Sequence, residues 1–589
     1  MDRVKKRIKK CLPYWPEGLI LIVCAIVLLL GISAKKGYHQ DELLSFELSN
    51  AEFNPWIVPT QPQGRLAKYV ENEIRGDGFI DTAGNLWDTV TDVWENRGSS
   101  KLLSYQADVY LEPAWIDRET FWEYVTVDEK DDFDYLSVYF NVKDDNHPPL
   151  HFMLLHTMSS IFRGSIQPMM GCFINLCFVL GTMILLMKIA GICMKLMGCG
   201  DQGRITGVGA AMLYGLSAGA LSTTLLIRMY AMLTFFCVLL LYVHLKKLYS
   251  YRLCIDQKDA QGFESKNKGL IAVTVLGFLT QYFFLFYCFA LALVTFVILL
   301  REKRMKELGK YVISMIIAAV IGLICFPFAI GDVFSSGRGE EALGNLKSGF
   351  GDLFMRVSAF LEILGRAEGM ICIFALLMIC FGWGILSLRK EKRQKGLWAI
   401  LIIPVIAYFL LAAKLSPFLV DRYVMPIFPM VILLITVGAC SCLTLLLRER
   451  MKKMTLLLTG VLAVLALSQP FAAGHKDNAY LYPEYELQLE TATDYAALPC
   501  ICVYEGVRYY ENLIEFTKYE RTLLVTQEEL RNRTDRASIQ ELDQVAVLLK
   551  NKEWITSIND VMKTYGFMPS KTAYTSEKET GDAVVIYSK

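Results

Sequence analysis

Apolar residues in this chain are grouped in blocks about as long as a bilayer is thick, separated by short charged connections. Counting ~17–22 apolar residues as one crossing helix, spans are expected at 17–33, 169–189, 205–226, 230–247, 311–330, 369–388, 397–413, 426–447 and 454–471. The run 269–300 is longer. As one straight helix rising 1.5 Å per residue it would be roughly 48 Å long and overshoot the bilayer, so two short helices with a turn near "TQYF" are predicted. The block 149–162 is shorter than a span and interrupted by His156, Thr157 and Ser159. It is expected to be interfacial or re-entrant. The fold class is therefore a polytopic α-helical membrane protein of about eleven transmembrane helices.

Two regions lack such blocks and are long enough to fold. Loop 34–146 is rich in Trp, Tyr, Asp and Glu and suits juxtamembrane amphipathic helices. Segment 472–589 carries "CICVYEG", "QVAVLLK" and "DAVVIYS" as short strands, with "RYYENLIEF" and "ITSINDVMKTYGF" as helices. Strands alternating with helices imply a small α/β domain. The expected organisation is a cytoplasmic N-terminus with the first span (1–33), a large extracytoplasmic loop (34–146), a multi-span region (147–471) and a C-terminal extracytoplasmic α/β domain (472–589).

Composition agrees with the pattern. The 589 residues are 54% hydrophobic and 20% charged, with a mean hydropathy of +0.36, too apolar for a soluble enzyme of this size. A net charge of +1 gives no electrostatic argument for a nucleic-acid partner. Basic clusters at 3–10, in "KIAGICMKLMGCGDQGR", from "HLKKLYSYR" to "SKNK", and at "REKRMKELGK", "RKEKRQK" and "RERMKK" occupy every second connection. By the positive-inside rule this puts the N-terminus in the cytoplasm and 472–589 outside, provided that 149–162 does not cross. Most of the sixteen cysteines lie in apolar segments without a CxxC pair and read as small hydrophobes. The first span is followed by the polar "KKGYHQDE" with no clear small-residue cleavage site, and is read as retained.

On this topology the conspicuous polar residues gather on one side of the membrane. Asp41 and Glu42 follow the first span; Asp144, Asp145 and His147 precede the 149–162 block; Arg228 and Tyr230 sit between two spans. Gln281 and Tyr282 occupy the predicted turn, and Asp421, Arg422 and Tyr423 precede the 426–447 span. Singly, each has an ordinary reading: arginines snorkel, tyrosines line interfaces, and the prolines of "HPP" suit a helix start. The shared sidedness with paired carboxylates is what these readings leave unexplained, and ionisable groups at membrane depth mark function. Two decoys are set against them. "GLSAG" at 215–219 matches the hydrolase G-x-S-x-G pattern but ends an apolar helix with no preceding strand. Asp145, His147 and His151 form a candidate divalent-cation site, although no HExxH accompanies them.

An enzyme on the outer face has no nucleotide pool, so it requires a lipid-linked activated donor such as a polyprenyl-phosphate sugar. That chemistry needs a carboxylate to take the acceptor's proton, cationic groups for the departing phosphate and an apolar groove for the lipid. Asp41 suits the first; Arg228, Arg422 and His147 suit the second. The segments "HQDELLSFE", "DDNHPPLHFMLLHTMSSIF", "IRMYAML", "TQYFFL" and "DRYVMPIFP" also resemble motifs of GT-C-type glycosyltransferases, the group of the protein O-mannosyltransferases and the lipid A aminoarabinose transferase, over about residues 38–430. The resemblance implies a dolichyl- or undecaprenyl-phosphate-linked sugar donor, outer-face transfer to an acceptor that is a protein, lipid or cell-wall polymer, Asp41 with Glu42 beside it as the catalytic carboxylates, and Arg228 in the "RMYA" segment. Beside the resemblance, the residue reading puts Tyr230, Arg422, Tyr423 and His147 on the donor phosphate, and Asp144, Asp145, Gln281 and Tyr282 on the acceptor or loop side. Gln281 departs from the histidine found before the tyrosine in many relatives. The competing classes are a polytopic lipid transporter or flippase, for which internal repeats are expected, and a polysaccharide polymerase or ligase.

Overall fold

The computed structural model describes residues 15–54, 56–60, 64–96, 99–106, 112–253, 267–334, 344–345, 351–369, 392–446, 478–578 and 581–589. The chain divides into two compact units. One comprises Met1–Ala34, Lys143–His151 and Gly171–Ala479; the other comprises Lys35–Val142, Phe152–Met170 and Tyr480–Lys589.

The first unit is helical and apolar. Among the described residues six helices are long and apolar enough to cross a membrane: Trp15–Ala34, Pro168–Leu196, Tyr230–Tyr249, Phe284–Arg301, Met305–Cys325 and Lys395–Leu415. The expected spans 369–388 and 454–471 lie outside the described residues. The run 269–300 is two helices, Asn267–Phe278 and Phe284–Arg301, joined by a turn at Leu279–Phe283. Asn267–Phe278 packs on Met305–Cys325, and Phe284–Arg301 on Lys392–Leu415. The helix Leu150–Ile161 has 12 residues, about 18 Å at 1.5 Å per residue, well short of an apolar core about 30 Å thick.

The expected span 205–226 is not one straight helix. It is broken into Gly203–Gly215 and Ala218–Leu225, bent by 59° when the short turn at Gly200 is included with the first piece. Ser217 is the cause. Its backbone is extended, its hydroxyl accepts from the Ala220 N–H (3.1 Å) as the N-cap of the second piece, and it donates to Glu368 Oε1 (3.0 Å). Gly219 has no room for a Cβ, which would meet Glu368 Oε1 and the Phe428 ring. "GLSAG" thus builds a helix break with a buried carboxyl across it.

The second unit holds a six-stranded sheet in the order β1-β3-β2-β4-β6-β5, with β1 Trp115–Asp117, β2 Cys500–Val503, β3 Arg521–Val525, β4 Gln544–Leu549, β5 Met568–Thr575 and β6 Ala583–Ser588. The central strands β3, β2 and β4 are parallel; β1, β6 and β5 join antiparallel. Ile501, Val503, Leu523, Val547 and Val585 form its core with Ile558, Val561 and Met562 of the helix Ile555–Thr564. The two polar regions read separately in the sequence therefore share one sheet, because Trp115–Asp117 pairs with β3. The loop also carries an amphipathic helix, Phe79–Asn96, which buries Thr89 and Val90 and exposes Phe79, Ile80, Trp87 and Trp94.

Candidate functional site

Asp41 and Glu42 open the helix Gln40–Asn50 in the second unit, and their surroundings differ. Glu42 is fully buried. Both its oxygens bond Lys35 Nζ (3.1 and 3.0 Å), and Oε2 also accepts the His39 N–H (2.7 Å). Lys35 is itself fully buried, bonded to the Tyr480 carbonyl (2.9 Å) and lying 5.1 Å from the centre of the Tyr482 ring. His39 completes a capping box, its Nδ1 accepting from the Asp41 N–H at 3.0 Å. Glu42, expected as a catalytic carboxylate beside Asp41, is instead committed to an ion pair and a helix cap. Asp41 is the half-exposed member, its Oδ2 lying 3.7 Å from His39 Nδ1.

In the first unit, groups from separate segments meet at one pole. Arg228 follows the helix Ala218–Leu225, whose end and following turn are held by a neighbouring helix: Asn175 Nδ2 donates to Thr224 O (3.3 Å) and Leu226 O (2.5 Å), and Cys172 Sγ to Leu225 O (3.4 Å). Gly171 allows this approach, since a Cβ there would enter the Ile227 side chain. Tyr230 begins the next helix, and its ring meets Tyr423 edge-on at 6.3 Å. Tyr423 ends the turn Asp421–Tyr423; its carbonyl accepts from Tyr408 Oη (3.0 Å), and the Arg422 guanidinium lies 5.5 Å from its ring centre. Phe283, from the "TQYF" turn, packs on the same ring at 5.3 Å.

The "HPP" segment joins this pole through the Leu150 N–H, which donates to Leu279 O at 3.1 Å. Asn146 has φ of 61°, a left-handed conformation that asparagine tolerates. His147 Nδ1 lies 2.8 Å from the Asp145 carbonyl and 3.0 Å from its buried carboxylate. A carboxylate on one imidazole nitrogen fixes the ring's orientation. His151 is fully buried, and burial together with the charges of Arg228 and His147 pushes its pKa down to about 3. It is neutral at pH 7. Among the described residues no three His, Cys, Asp or Glu side chains come together to hold a cation, so Asp145, His147 and His151 do not make the metal site weighed from the sequence. Asp144 ends the turn Val142–Asp144.

Gln281 is buried, and its side-chain carbonyl accepts the Phe283 N–H, shaping the turn. Tyr282 is half-buried and donates its hydroxyl proton to Asp332 Oδ2 at 2.6 Å. Sequence reasoning passed over Asp332, which lies in the short helix Ala329–Phe334 just beyond an apolar span. It also passed over Lys35 and the capping role of His39; the Glu three positions after His39 was the available signal.

No protein-family model and no curated protein matches the chain. Solved structures do. The chain is similar to ArnT from Cupriavidus metallidurans bound to undecaprenyl phosphate, at 12% identity over 75% of this chain and 88% of that one, with a TM-score of 0.44; the apo structure gives 14%, 75%, 87% and 0.44. An Archaeoglobus fulgidus oligosaccharyltransferase tethered to an acceptor peptide aligns at 11% identity over 94% of this chain and 71% of that one, with a TM-score of 0.45. ArnT and this oligosaccharyltransferase are enzymes of the GT-C type that the motifs resemble.

Proposed function

We propose that the chain is a glycosyltransferase that moves a sugar from a polyprenyl-phosphate-linked donor to an acceptor hydroxyl on the extracytoplasmic face, with the N-terminus in the cytoplasm and the C-terminal α/β region outside. The observation that carries this reading is the meeting of Arg228, Tyr230, Arg422–Tyr423 and the Asp145–His147 pair at one pole of an apolar helical unit. Guanidinium groups offer only donors, in a fork that suits phosphate oxygens, and a lipid-tailed phosphate needs that cationic end beside apolar helices.

In the reaction the acceptor oxygen forms a bond to the sugar's anomeric carbon. The bond from that carbon to the phosphate oxygen breaks, and the phosphate leaves with the electron pair. The acceptor's proton goes to Asp41, whose half-exposed position suits a base in a way that the buried Glu42 does not. Attack opposite the leaving phosphate inverts the anomeric centre, and phosphate needs no second acid to depart.

Among the described residues, the broken helix at Ser217 favours a lipid transporter, since transporters place interrupted helices at their sites. A single experiment separates the two. Purified protein in nanodiscs is given radiolabelled undecaprenyl- or dolichyl-phosphate sugars and a membrane extract as acceptor source. Release of the sugar-free lipid phosphate with label in a new product is expected. Label that stays on the lipid, with lipid movement across proteoliposomes, would leave the transporter.

A further inference from the structure

We infer that Arg356 is a positioning residue for the donor phosphate: its guanidinium fixes the connection that carries Arg422, and so sets where the Arg422 fork stands. This rests on the glycosyl-transfer reading and adds to it a residue that acts through Arg422 without touching the donor.

The need for a fixed point comes from the chain before Arg422. Arg422 stands six positions beyond Ser416, where the helix Lys392–Leu415 has just ended. Residues 417–420 form neither helix nor strand, and Phe418 and Leu419 are exposed. Such a stretch has no backbone ladder of its own to hold it, so its ends decide where it lies. An α-helix also leaves its last four carbonyls without partners inside the helix. Here Ala412 O takes the Ser416 N–H at 3.0 Å. Arg356, from the helix Leu353–Glu368, supplies the next donors: Nε donates to Ala413 O at 2.6 Å, and Nη2 donates to Ser416 O and to Ser416 Oγ (3.3 Å). Ala413 and Ser416 are both 0% exposed, so water does not stand in for these bonds.

The far end of the connection is pinned as well. Tyr408, fully buried in the helix Lys392–Leu415, donates its hydroxyl proton to Tyr423 O at 3.0 Å, and the Tyr423 ring packs on Tyr230 and Phe283. The helix Leu353–Glu368 also packs against the turn Asp421–Tyr423. Arg422 is thus carried by a short stretch tied at two points, by Arg356 at Ser416 and by Tyr408 at Tyr423. A guanidinium suits the first tie because one planar group reaches both carbonyls through different nitrogens, whereas an ammonium acts as a point charge. The consequence for binding is geometric. A two-pronged contact to phosphate oxygens needs both donors at hydrogen-bond distance together, so a displaced connection weakens it without taking any charge from Arg422.

The test measures undecaprenyl phosphate binding and thermal unfolding on the full chain in nanodiscs, for the wild type, Arg356→Ala, Arg422→Lys and the double variant. Arg356→Ala is expected to bind about tenfold more weakly, the order of one charged hydrogen bond lost. Arg356→Lys, which still reaches one carbonyl, should recover part of that loss. On the Arg422→Lys background a flexible point charge no longer depends on where a fork is held, so Arg356→Ala should there cost less than about threefold. Unchanged binding in Arg356→Ala, with only a lower unfolding temperature, overturns the inference and leaves Arg356 a helix cap. Losses that multiply in the double variant overturn it too, since Arg356 would then act on the phosphate independently of Arg422. Both results leave the glycosyl-transfer reading standing. If Arg356→Ala does not fold, Arg356→Lys takes its place in the comparison and the same outcomes decide. If Arg422→Lys binds undecaprenyl phosphate as the wild type does, or the wild type does not bind it, the phosphate role of Arg422 falls and this inference with it.

Discussion

Glu42→Gln is expected to damage folding before it damages chemistry, and Asp41→Asn to do the reverse. The side chains of Glu42 and Lys35 are both 0% exposed, and the carboxylate takes two bonds from Lys35 and one from the His39 N–H. Removing one partner of a buried ion pair costs about 3–5 kcal/mol, because the other charge is left uncompensated in a dry site. Here Lys35 keeps the Tyr480 carbonyl and the Tyr482 ring, and Gln keeps one oxygen acceptor. A loss near the lower end, about 3 kcal/mol, is therefore expected. Asp41 is half-exposed and its carboxylate is not part of the cap. Its change to Asn should cost at most the ~0.3–1 kcal/mol of a charge at a helix N-terminus, while removing a base worth about 10²–10⁴ in rate.

Thermal unfolding and sugar transfer would be measured on the same nanodisc preparations. A Lys35→Met, Glu42→Leu double variant adds a check: replacing both charges by apolar groups should recover most of the stability lost in Glu42→Gln, since neither charge is then stranded. A Glu42→Gln protein with wild-type unfolding and no transfer, beside an active Asp41→Asn, would show that the base is Glu42 and that the Lys35 pair is not what holds it.

Arg228→Lys and Arg422→Lys should each lower transfer at least about tenfold despite keeping the charge, because an ammonium lacks the two parallel donors of a guanidinium; wild-type kinetics in both would return them to snorkelling anchors. A cytoplasm-dependent reporter fused after Lys589 should be silent, as alternation of the basic connections requires, and activity there would mean that 149–162 crosses. Gly219→Ala should destabilise by about 1–3 kcal/mol through its clash with Glu368 and Phe428, whereas Gly191→Ala, in a helix with nothing near its Cβ, should be neutral or gain up to about 1 kcal/mol; equal thermal shifts in the two variants would refute the close approach. Burial pushes the Glu515 pKa up to about 7 beside Asn512 and Tyr485. Its protonated form then favours the folded state, a contribution present below pH 4.5 and lost as pH rises through about 7, and Glu515→Gln should flatten that slope in pH-dependent unfolding.

What the sequence discloses follows from where the physical cause of each feature lies. Apolar blocks and the length of 269–300 are local properties, so the helices and their turn could be read directly. The strands "CICV", "QVAVLL" and "AVVIYS" were equally plain, because central strands buried on both faces are apolar throughout. Edge strands carry no such mark. Met568–Thr575 is mostly exposed and polar, and Trp115–Asp117 has three residues and acquires its structure only from pairing with β3. The break at Ser217 was hidden for a related reason: the run carries neither proline nor a charge, and the bend depends on Glu368, 151 positions away.

The site divides along the same line. Arg228, Arg422 and His147 announce themselves as charges or a histidine beside apolar runs. Asp41 and Glu42 look alike in sequence, and what separates them is Lys35, which reads as an anchor after a span until Tyr480 and Tyr482 enclose it. Asp332 gives no signal at all until its carboxylate meets a tyrosine 50 residues earlier in the chain. Residue type alone therefore points to the cations that suit a phosphate, whereas the carboxylates become distinguishable only once their partners are known: Glu42 is held by Lys35, and Asp332 accepts the proton of Tyr282.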